Sequence, residues 1–166
     1  MKRLLLAMSL ALSLSACGFH LQDGASIPPT LAGIRVEGSG PAGGGLAQAV
    51  ARALEREGNY QQKTGPVLRI DNAGISQRAI SISPASGAAL EFLNTLRADI
   101  SVVGADGKTL LPPQPLLVEN SFSFNSASPL ATTEQQNAAQ RAMFRQAAQQ
   151  ILARVLNSPR FREAKP

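Results

Sequence analysis

The chain has 166 residues and a formal net charge of +5, and 16% of its residues are charged, against roughly 25% in typical soluble domains. Its weak positive charge, its single tyrosine and its lack of tryptophan and of basic runs argue against nucleic-acid binding. One cysteine and one histidine, His20, argue against a disulfide framework, a zinc cluster and a histidine-based catalytic triad.

The N-terminus has the pattern of a bacterial lipoprotein signal. Two basic residues precede an apolar run that ends at Leu14, and this run is shorter than the roughly 20 residues of a membrane-spanning helix. Leu14-Ser15-Ala16-Cys17 matches the lipobox, at which diacylglycerol is attached to the cysteine sulfur before cleavage and acylation of the freed amine. We predict N-acyl and S-diacylglycerol groups on Cys17 and no other cofactor. The alternative is an ordinary secretory signal with a chance cysteine.

The predicted anchor sets the cellular location and the division of the chain. Three acyl chains hold a protein stably at a membrane, whereas one chain binds only marginally. Gly18 replaces the aspartate that retains lipoproteins at the inner membrane of enteric bacteria, which favours the outer membrane. The predicted regions are a signal peptide at 1–16, an anchored segment at 17–32, one α/β sandwich domain at 33–158 and a flexible tail at 159–166.

The first half of the domain predicts a strand, a helix and a long strand. Ile34 to Glu37 is typical of a short strand, and a flexible glycine-rich loop, 38–45, leads to a helix from Leu46 to Glu57. The strand from Val67 to Ser83 changes its apolar phase near Asn72 and Gly74, which predicts a bulge.

The second half predicts a long hairpin and a second helix. The strand from Ala88 to Val103 alternates cleanly and would span roughly 50 Å, so its ends are expected to project beyond the core. Asp106-Gly107 predicts the turn, and three prolines place the return strand at an edge or a bulged entry. Thr132 and Gln135 predict a capping box for a helix that ends near Leu156.

The element order is therefore β-α-β-β-β-α. We predict an α+β fold in which two helices pack on one face of a four-stranded mixed sheet, since the first strand can pair in parallel through the first helix. Most of the polar residues of the chain are neutral, namely Ser, Thr, Asn, Gln and Gly, and charged residues are few. This composition favours a surface covered by a partner, because burying paired amides and hydroxyls costs less than burying charges; genomic bias toward Ala and Gln is the alternative.

Two apparent nucleotide motifs do not carry a nucleotide-binding prediction. Gly38 to Gly43 matches G-x-G-x-x-G, but only one β-α-β unit is present and Glu57 lies inside a helix. Gly107-Lys108-Thr109 resembles the end of a P-loop, but no helix follows it.

The acidic residues give little support for catalysis. Asp99 and Glu119 can approach across the last hairpin, but no other carboxylate pair is evident. We therefore predict that the protein is not an enzyme. A periplasmic hydrolase remains a third hypothesis, which a pocket with two carboxylates or an activated serine would favour.

Two groups of polar residues on the long strands are candidates for binding. Arg78, Arg97 and Lys108 offer cations beside apolar surface, as an anionic amphiphile with phosphates would require, or they only keep the sheet soluble. Asn94 and Asn120 fall in the apolar phase of their strands. They are expected either to pair with each other or to face a partner.

The chain resembles the LPS-assembly lipoprotein family, LptE, formerly rare lipoprotein B. The resemblance rests on the opening Cys17-Gly18-Phe19-His20-Leu21, on the glycine-rich loop before the first helix, and on the two long strands followed by a Gln/Ala-rich helix. It implies an outer-membrane lipoprotein that plugs the lumen of the LPS-assembly β-barrel, assists the folding of that barrel and assists insertion of lipopolysaccharide into the outer leaflet. The implied partners are the barrel, lipopolysaccharide and the membrane, with Arg78, Arg97 and Lys108 as hypothetical lipopolysaccharide contacts. An accessory lipoprotein of a phospholipid or ABC-type envelope transport complex is the alternative.

Overall fold

The structure is a computed structural model that describes residues 33–57, 65–124 and 129–159. Cys17, the lipobox and the predicted tail after residue 159 lie outside the described residues. Six elements follow one another in the order predicted from the sequence. They are β1 (Arg35–Gly38), α1 (Gly43–Arg56), β2 (Val67–Ile82), β3 (Ala89–Val103), β4 (Thr109–Ser123) and α2 (Pro129–Leu156).

The four strands form one mixed sheet in the order β1-β2-β3-β4. The connection through α1 returns the chain to the start of the sheet, so β1 pairs in parallel with β2. The other neighbours are antiparallel hairpin partners. Gly107 takes the positive φ of 80° that the β3–β4 turn requires. The predicted α+β fold and its mixed sheet are confirmed.

Both helices pack on the same face of the sheet and enclose one hydrophobic core. The apolar stripes that predict the two helices supply the buried faces, and the even-numbered positions of β3 supply the facing side chains. The fully buried members include Leu46 and Val50 of α1, Leu68 and Ile70 of β2, Leu96 and Ile100 of β3, and Met143 and Ile151 of α2.

The predicted bulge in β2 lies at Asn72. Its backbone has a φ of 56°, which asparagine tolerates better than most residues. The register shifts between Asp71 and Gly74, and this shift returns Ile75 to the helix-covered face, opposite Leu96. The bulge therefore explains why the apolar phase of the sequence changes within a single strand.

The glycine-rich connection is packed tightly against the sheet, unlike the flexible loop that the sequence predicts. Backbone hydrogen bonds join Ser39 N to Ile70 O (2.8 Å) and Ala42 N to Ala73 O (3.0 Å). A Cβ on Gly38 would lie 2.2 Å from the carbonyl oxygen of Gly43. Only glycine permits this approach, so this G-x-G-x-x-G match serves the packing of β1 against α1.

Two helix boundaries differ from the sequence predictions. The helix α1 begins at Gly43, one turn before Leu46. The helix α2 begins at Pro129, so Thr132 is buried within its first turn and the predicted capping box is wrong. The strand β4 continues through its three prolines at the edge of the sheet, where a strand needs no amide donors on its free side, so the edge position predicted from these prolines is confirmed.

Neither α1 nor α2, the two helices of the described residues, has the length and hydrophobicity of a membrane-spanning helix.

Candidate functional site

One face of the sheet has no covering element among the described residues. Its side chains alternate with those of the core, and we call it the uncovered face. It is mostly polar, and its apolar residue Leu117 is exposed by 51%. Its members include Arg69, Asp71, Ser76 and Arg78 of β2, Glu91, Leu93, Thr95, Arg97, Asp99 and Ser101 of β3, and Leu117, Glu119, Ser121 and Ser123 of β4.

Three carboxylates of the uncovered face accept hydrogen bonds from neutral side chains. Thr95 Oγ1 donates to Glu119 Oε1 at 3.1 Å. The other two bonds run from Asn72 Nδ2 to Asp99 Oδ2 (2.9 Å) and from Ser39 Oγ to Asp71 Oδ1 (2.9 Å). These bonds lower the cost of covering the carboxylates, since a buried polar group needs a partner.

Asp99 and Glu119, the carboxylate pair that the sequence analysis considered for catalysis, do not lie close together. Asp99 lies opposite Pro115, whereas Glu119 lies opposite Thr95. Four strand residues therefore separate the two positions, or about 13 Å along the sheet. This exceeds the roughly 5–9.5 Å that separates the two carboxylates of glycoside hydrolases.

The three basic residues that the sequence analysis named as candidate lipopolysaccharide contacts do not form one cluster. Arg78 lies opposite Leu93 and Arg97 lies opposite Gly74, so both are on the uncovered face, about 13 Å apart along the strands. Lys108 lies in the turn that joins β3 to β4, at the far end of the sheet from Arg78. The structure thus brings Arg78 and Arg97 to one face and leaves Lys108 apart.

Lys108 is engaged with its own turn. Its Nζ lies 3.1 Å from Asp106 Oδ2, and both side chains are exposed. The Lys108 backbone amide donates to Asp106 Oδ1 at 3.1 Å. The hydrogen bond from the Lys108 backbone amide is the main cause that lowers the pKa of the Asp106 carboxyl below its ordinary value, and the hydrogen bond from the Lys108 side chain is the second.

The two strand asparagines belong to a polar layer on the helix-covered face. Gln77, Asn94 and Asn120 lie side by side on three neighbouring strands. Gln77 Nε2 donates to Asn94 Oδ1 at 3.0 Å, and the Asn94 side chain is buried with 4% exposure. The partner of the Asn94 carbonyl is therefore Gln77, a residue that the sequence analysis did not single out.

A second apolar cluster lies beyond this polar layer, toward the β2–β3 turn. The rings of Phe92 and Phe122 stack with their centroids 5.7 Å apart, and Phe124 meets Phe92 edge to face at the same distance. Beyond these rings the hairpin bears an apolar tip, which consists of Ile80, Ile82 and Leu90, exposed by 42%, 59% and 45%. The prediction that the long strands project beyond the core is confirmed.

A groove of about 700 Å³ between α1 and α2 gathers cations that the sequence analysis missed. We call it the arginine groove; it is lined by Arg52, Arg56, Arg141 and Arg145, with Ala49, Glu55 and Phe144. The two helices are far apart in the sequence, so no local motif reveals the cluster. The only local signal is that each helix carries its arginines four residues apart, on one side.

Close packing of the helices forms the apolar part of the arginine groove. A Cβ on Gly45 would lie 2.8 Å from Phe144 Cε2, so this glycine lets the aromatic ring lie against α1. No carboxylate of residues 33–57, 65–124 or 129–159 forms an ion pair with any of the four arginines. The groove therefore combines an apolar surface with cations that have no anionic partner in that part of the chain.

Comparison with known proteins places this fold in a family. Residues 31–155 match the sequence model of the LptE family, described as lipopolysaccharide-assembly. The chain belongs to this family. Membership in this family supports the general function that the sequence predicts, which is that of a cell-envelope lipoprotein involved in lipopolysaccharide assembly.

Individual relatives agree with the family assignment. The chain is 27% identical over 167 residues to the LPS-assembly lipoprotein LptE of Pectobacterium atrosepticum, covering 96% of this chain and 88% of that protein. It is similar in structure to lipoprotein B from Nitrosomonas europaea (TM-score 0.62, 24% identity, 83% and 90% of the two chains). It is also similar to rare lipoprotein B from Shewanella oneidensis (TM-score 0.56, 18% identity, 72% and 90%). At these identities the two structures show that the fold is shared.

Proposed function

We propose that acyl groups on Cys17 hold this protein at the outer membrane and that its domain occupies the lumen of the LPS-assembly β-barrel. There it assists the folding of the barrel and the insertion of lipopolysaccharide into the outer leaflet. The role is non-enzymatic in this proposal. The observation that carries it is the uncovered face, a side of the sheet that is mostly polar and has no covering element among the described residues. Three of its carboxylates accept hydrogen bonds from neutral side chains.

The chemistry of the uncovered face suits such an enclosure. The lumen wall of an outer-membrane barrel is polar and wet. A domain that enters it has to give up water around its polar groups, which costs least when those groups already have partners. Thr95, Asn72 and Ser39 provide such partners for three carboxylates of this face at 2.9–3.1 Å.

The length of the hairpin supports a plug that extends along the barrel axis. The 16 residues of β2 span roughly 53 Å. The chain enters the domain at Gly33, beside the start of β2, because Gly65 N donates to Gly33 O at 3.2 Å. The apolar tip therefore lies at the opposite end of the domain from the point where the chain enters it, and we assign the lumen as its destination.

We further propose that Arg78 and Arg97 contact phosphates of lipopolysaccharide. Both are exposed on the uncovered face and neither forms an ion pair with a described residue. Lys108 was a third candidate, but its ammonium is already paired with Asp106. We expect Arg78→Glu with Arg97→Glu to weaken lipopolysaccharide binding by the lipoprotein more than Lys108→Glu does. Equal binding by all of these variants would remove the assignment.

Co-purification tests the partner. The tagged full-length lipoprotein, extracted from outer membranes in a mild detergent, is expected to carry a large β-barrel protein with it. The matched control is Cys17→Ser, which removes the thiol that lipid attachment needs and is expected to lose both the acyl groups and the partner. Recovery of a transporter or tunnel protein in place of the barrel would contradict the proposal and support the transport-complex alternative.

A further inference from the structure

The arginine groove is a concentration of like charge that the described part of the chain leaves uncompensated. Arg52 with Arg56, and Arg141 with Arg145, are pairs four residues apart on one helix side, a spacing at which like charges repel. Arg56 Nε donates to the Arg52 carbonyl oxygen at 3.1 Å, which occupies one of its five donors. Glu55 is the only acidic residue that the described part of the chain contributes to the lining.

The composition of the groove fits a phosphate attached to an apolar body. Guanidinium groups bind phosphate oxygens in a bidentate manner, which makes arginine suitable for anionic headgroups. Ala49 and the Phe144 ring supply apolar surface beside those groups. A volume of about 700 Å³ is within the range that holds a small molecule or a lipid headgroup.

The groove extends to the end of the domain at which the chain enters. The helix α1 starts level with Ala73, to which Ala42 donates a hydrogen bond, and its 14 residues run back about 21 Å. The six residue steps from Ala73 back to Val67 span about 20 Å, so α1 ends level with the start of β2 and with Gly33.

The tether is long enough to bring this end to the membrane. Gly33 lies sixteen residue steps after Cys17, and a fully extended chain of sixteen steps spans at most about 55 Å. Arg52 and Arg56 lie in the last two turns of α1, close to where the chain enters the domain. They are therefore among the described cations that lie near the point where the tether joins the domain.

We propose that the arginine groove binds the headgroup of an anionic phospholipid of the membrane that carries the anchor. The phosphate lies between the guanidinium groups of α1 and those of α2, and the glycerol and proximal acyl atoms lie against Phe144 and Ala49. This inference rests on the proposed acylation of Cys17, but not on the barrel as partner. It concerns a different face from the lipopolysaccharide contacts at Arg78 and Arg97.

The test uses the full acylated lipoprotein in dodecyl maltoside micelles, titrated with dihexanoyl-phosphatidylglycerol. The thermal unfolding midpoint gives the apparent affinity, and native mass spectrometry identifies the retained lipid. Arg52→Gln with Arg56→Gln is expected to weaken binding about 10- to 30-fold, since each cation near an anionic lipid contributes on the order of a five-fold effect. Arg141→Gln with Arg145→Gln, from the opposite wall, is expected to give a similar loss. If one of these two double variants fails to fold, the other is sufficient for the test.

The matched control is Arg35→Gln with Arg69→Gln, which removes two exposed arginines outside the groove and is expected to change the affinity less than two-fold. Equal binding of dihexanoyl-phosphatidylcholine would overturn the proposal, as would groove variants that bind like the wild type. Inorganic phosphate bound as tightly as the lipid would indicate a free-anion site instead. If the wild-type lipoprotein retained lipopolysaccharide in preference to phosphatidylglycerol, the groove would be assigned to lipopolysaccharide. If the groove variants lost a co-purifying protein but still bound phosphatidylglycerol, the groove would be assigned to that protein. Failure of the barrel co-purification leaves this measurement intact, because the lipid is titrated onto the isolated lipoprotein.

Discussion

Replacing Gly38 by alanine tests whether the glycine-rich connection is a packing device. The new Cβ would lie 2.2 Å from the carbonyl oxygen and 2.6 Å from the carbonyl carbon of Gly43. These are backbone atoms, so no side-chain rotation relieves the clash, and an ordinary contact requires β1 and α1 to separate by about 1 Å. Overpacking of this kind costs about 1–3 kcal/mol, and we expect a loss of about 2 kcal/mol in the free energy of unfolding.

Gly44→Ala is the matched control. Gly44 is exposed within α1, and a Cβ there would meet no atom within 4 Å. Both substitutions restrict the unfolded chain to the same degree, so their difference reports the folded state. We expect Gly44→Ala to stabilise by about 0.5–1 kcal/mol. The unfolding midpoints of the two variants, followed by far-UV circular dichroism, should differ by about 6–12 °C. Equal midpoints would refute the packing argument.

Three further outcomes test other parts of the structure. Arg141→Gln with Arg145→Gln is expected to raise the free energy of unfolding by a few tenths of a kcal/mol at low ionic strength, because it removes the repulsion between these two arginines. Salt screens such repulsion, so the gain should be smaller at about 0.5 M NaCl, and a gain independent of salt would argue against charge repulsion. Asn94→Ala is expected to destabilise by about 1 kcal/mol in urea unfolding, because it removes a buried acceptor, and a neutral result would contradict the polar layer. NMR titration of Lys108→Met should show a pKa for Asp106 that is higher than in the wild type but still below the ordinary value, since the residue-108 amide remains. A lowered folded-state pKa stabilises the folded chain above the unfolded-state pKa, so this contribution is lost as the pH falls through the folded-state pKa.

Local patterns were sufficient to predict most of the fold. The alternation in β3 and the apolar stripes of the helices depend on side-chain periodicity, which one segment reveals by itself. The phase change in β2 predicts the bulge at Asn72 for the same reason. The prolines of β4 predict an edge strand because proline lacks the amide donor that an interior strand needs, and β4 lies at the edge of the sheet.

The functional surfaces depend on contacts between distant segments, and here the sequence was less informative. The arginine groove joins residues of two helices that only the fold brings together. The packing role of Gly38 depends on the distance between β1 and α1, which a glycine-rich composition does not specify. Lys108 was grouped with Arg78 and Arg97 because all three are cations on long strands or their turns, yet the turn places Lys108 beside Asp106.

Site-specific photo-crosslinking in living cells tests the enclosure most directly. A photoreactive amino acid in place of Leu117, which is exposed by 51% on the uncovered face, samples whatever covers that face in the native envelope. We predict one dominant covalent adduct with the LPS-assembly β-barrel in the outer membrane. A lipoprotein that remains uncrosslinked at Leu117, or that crosslinks there to a transporter subunit, would contradict the plug.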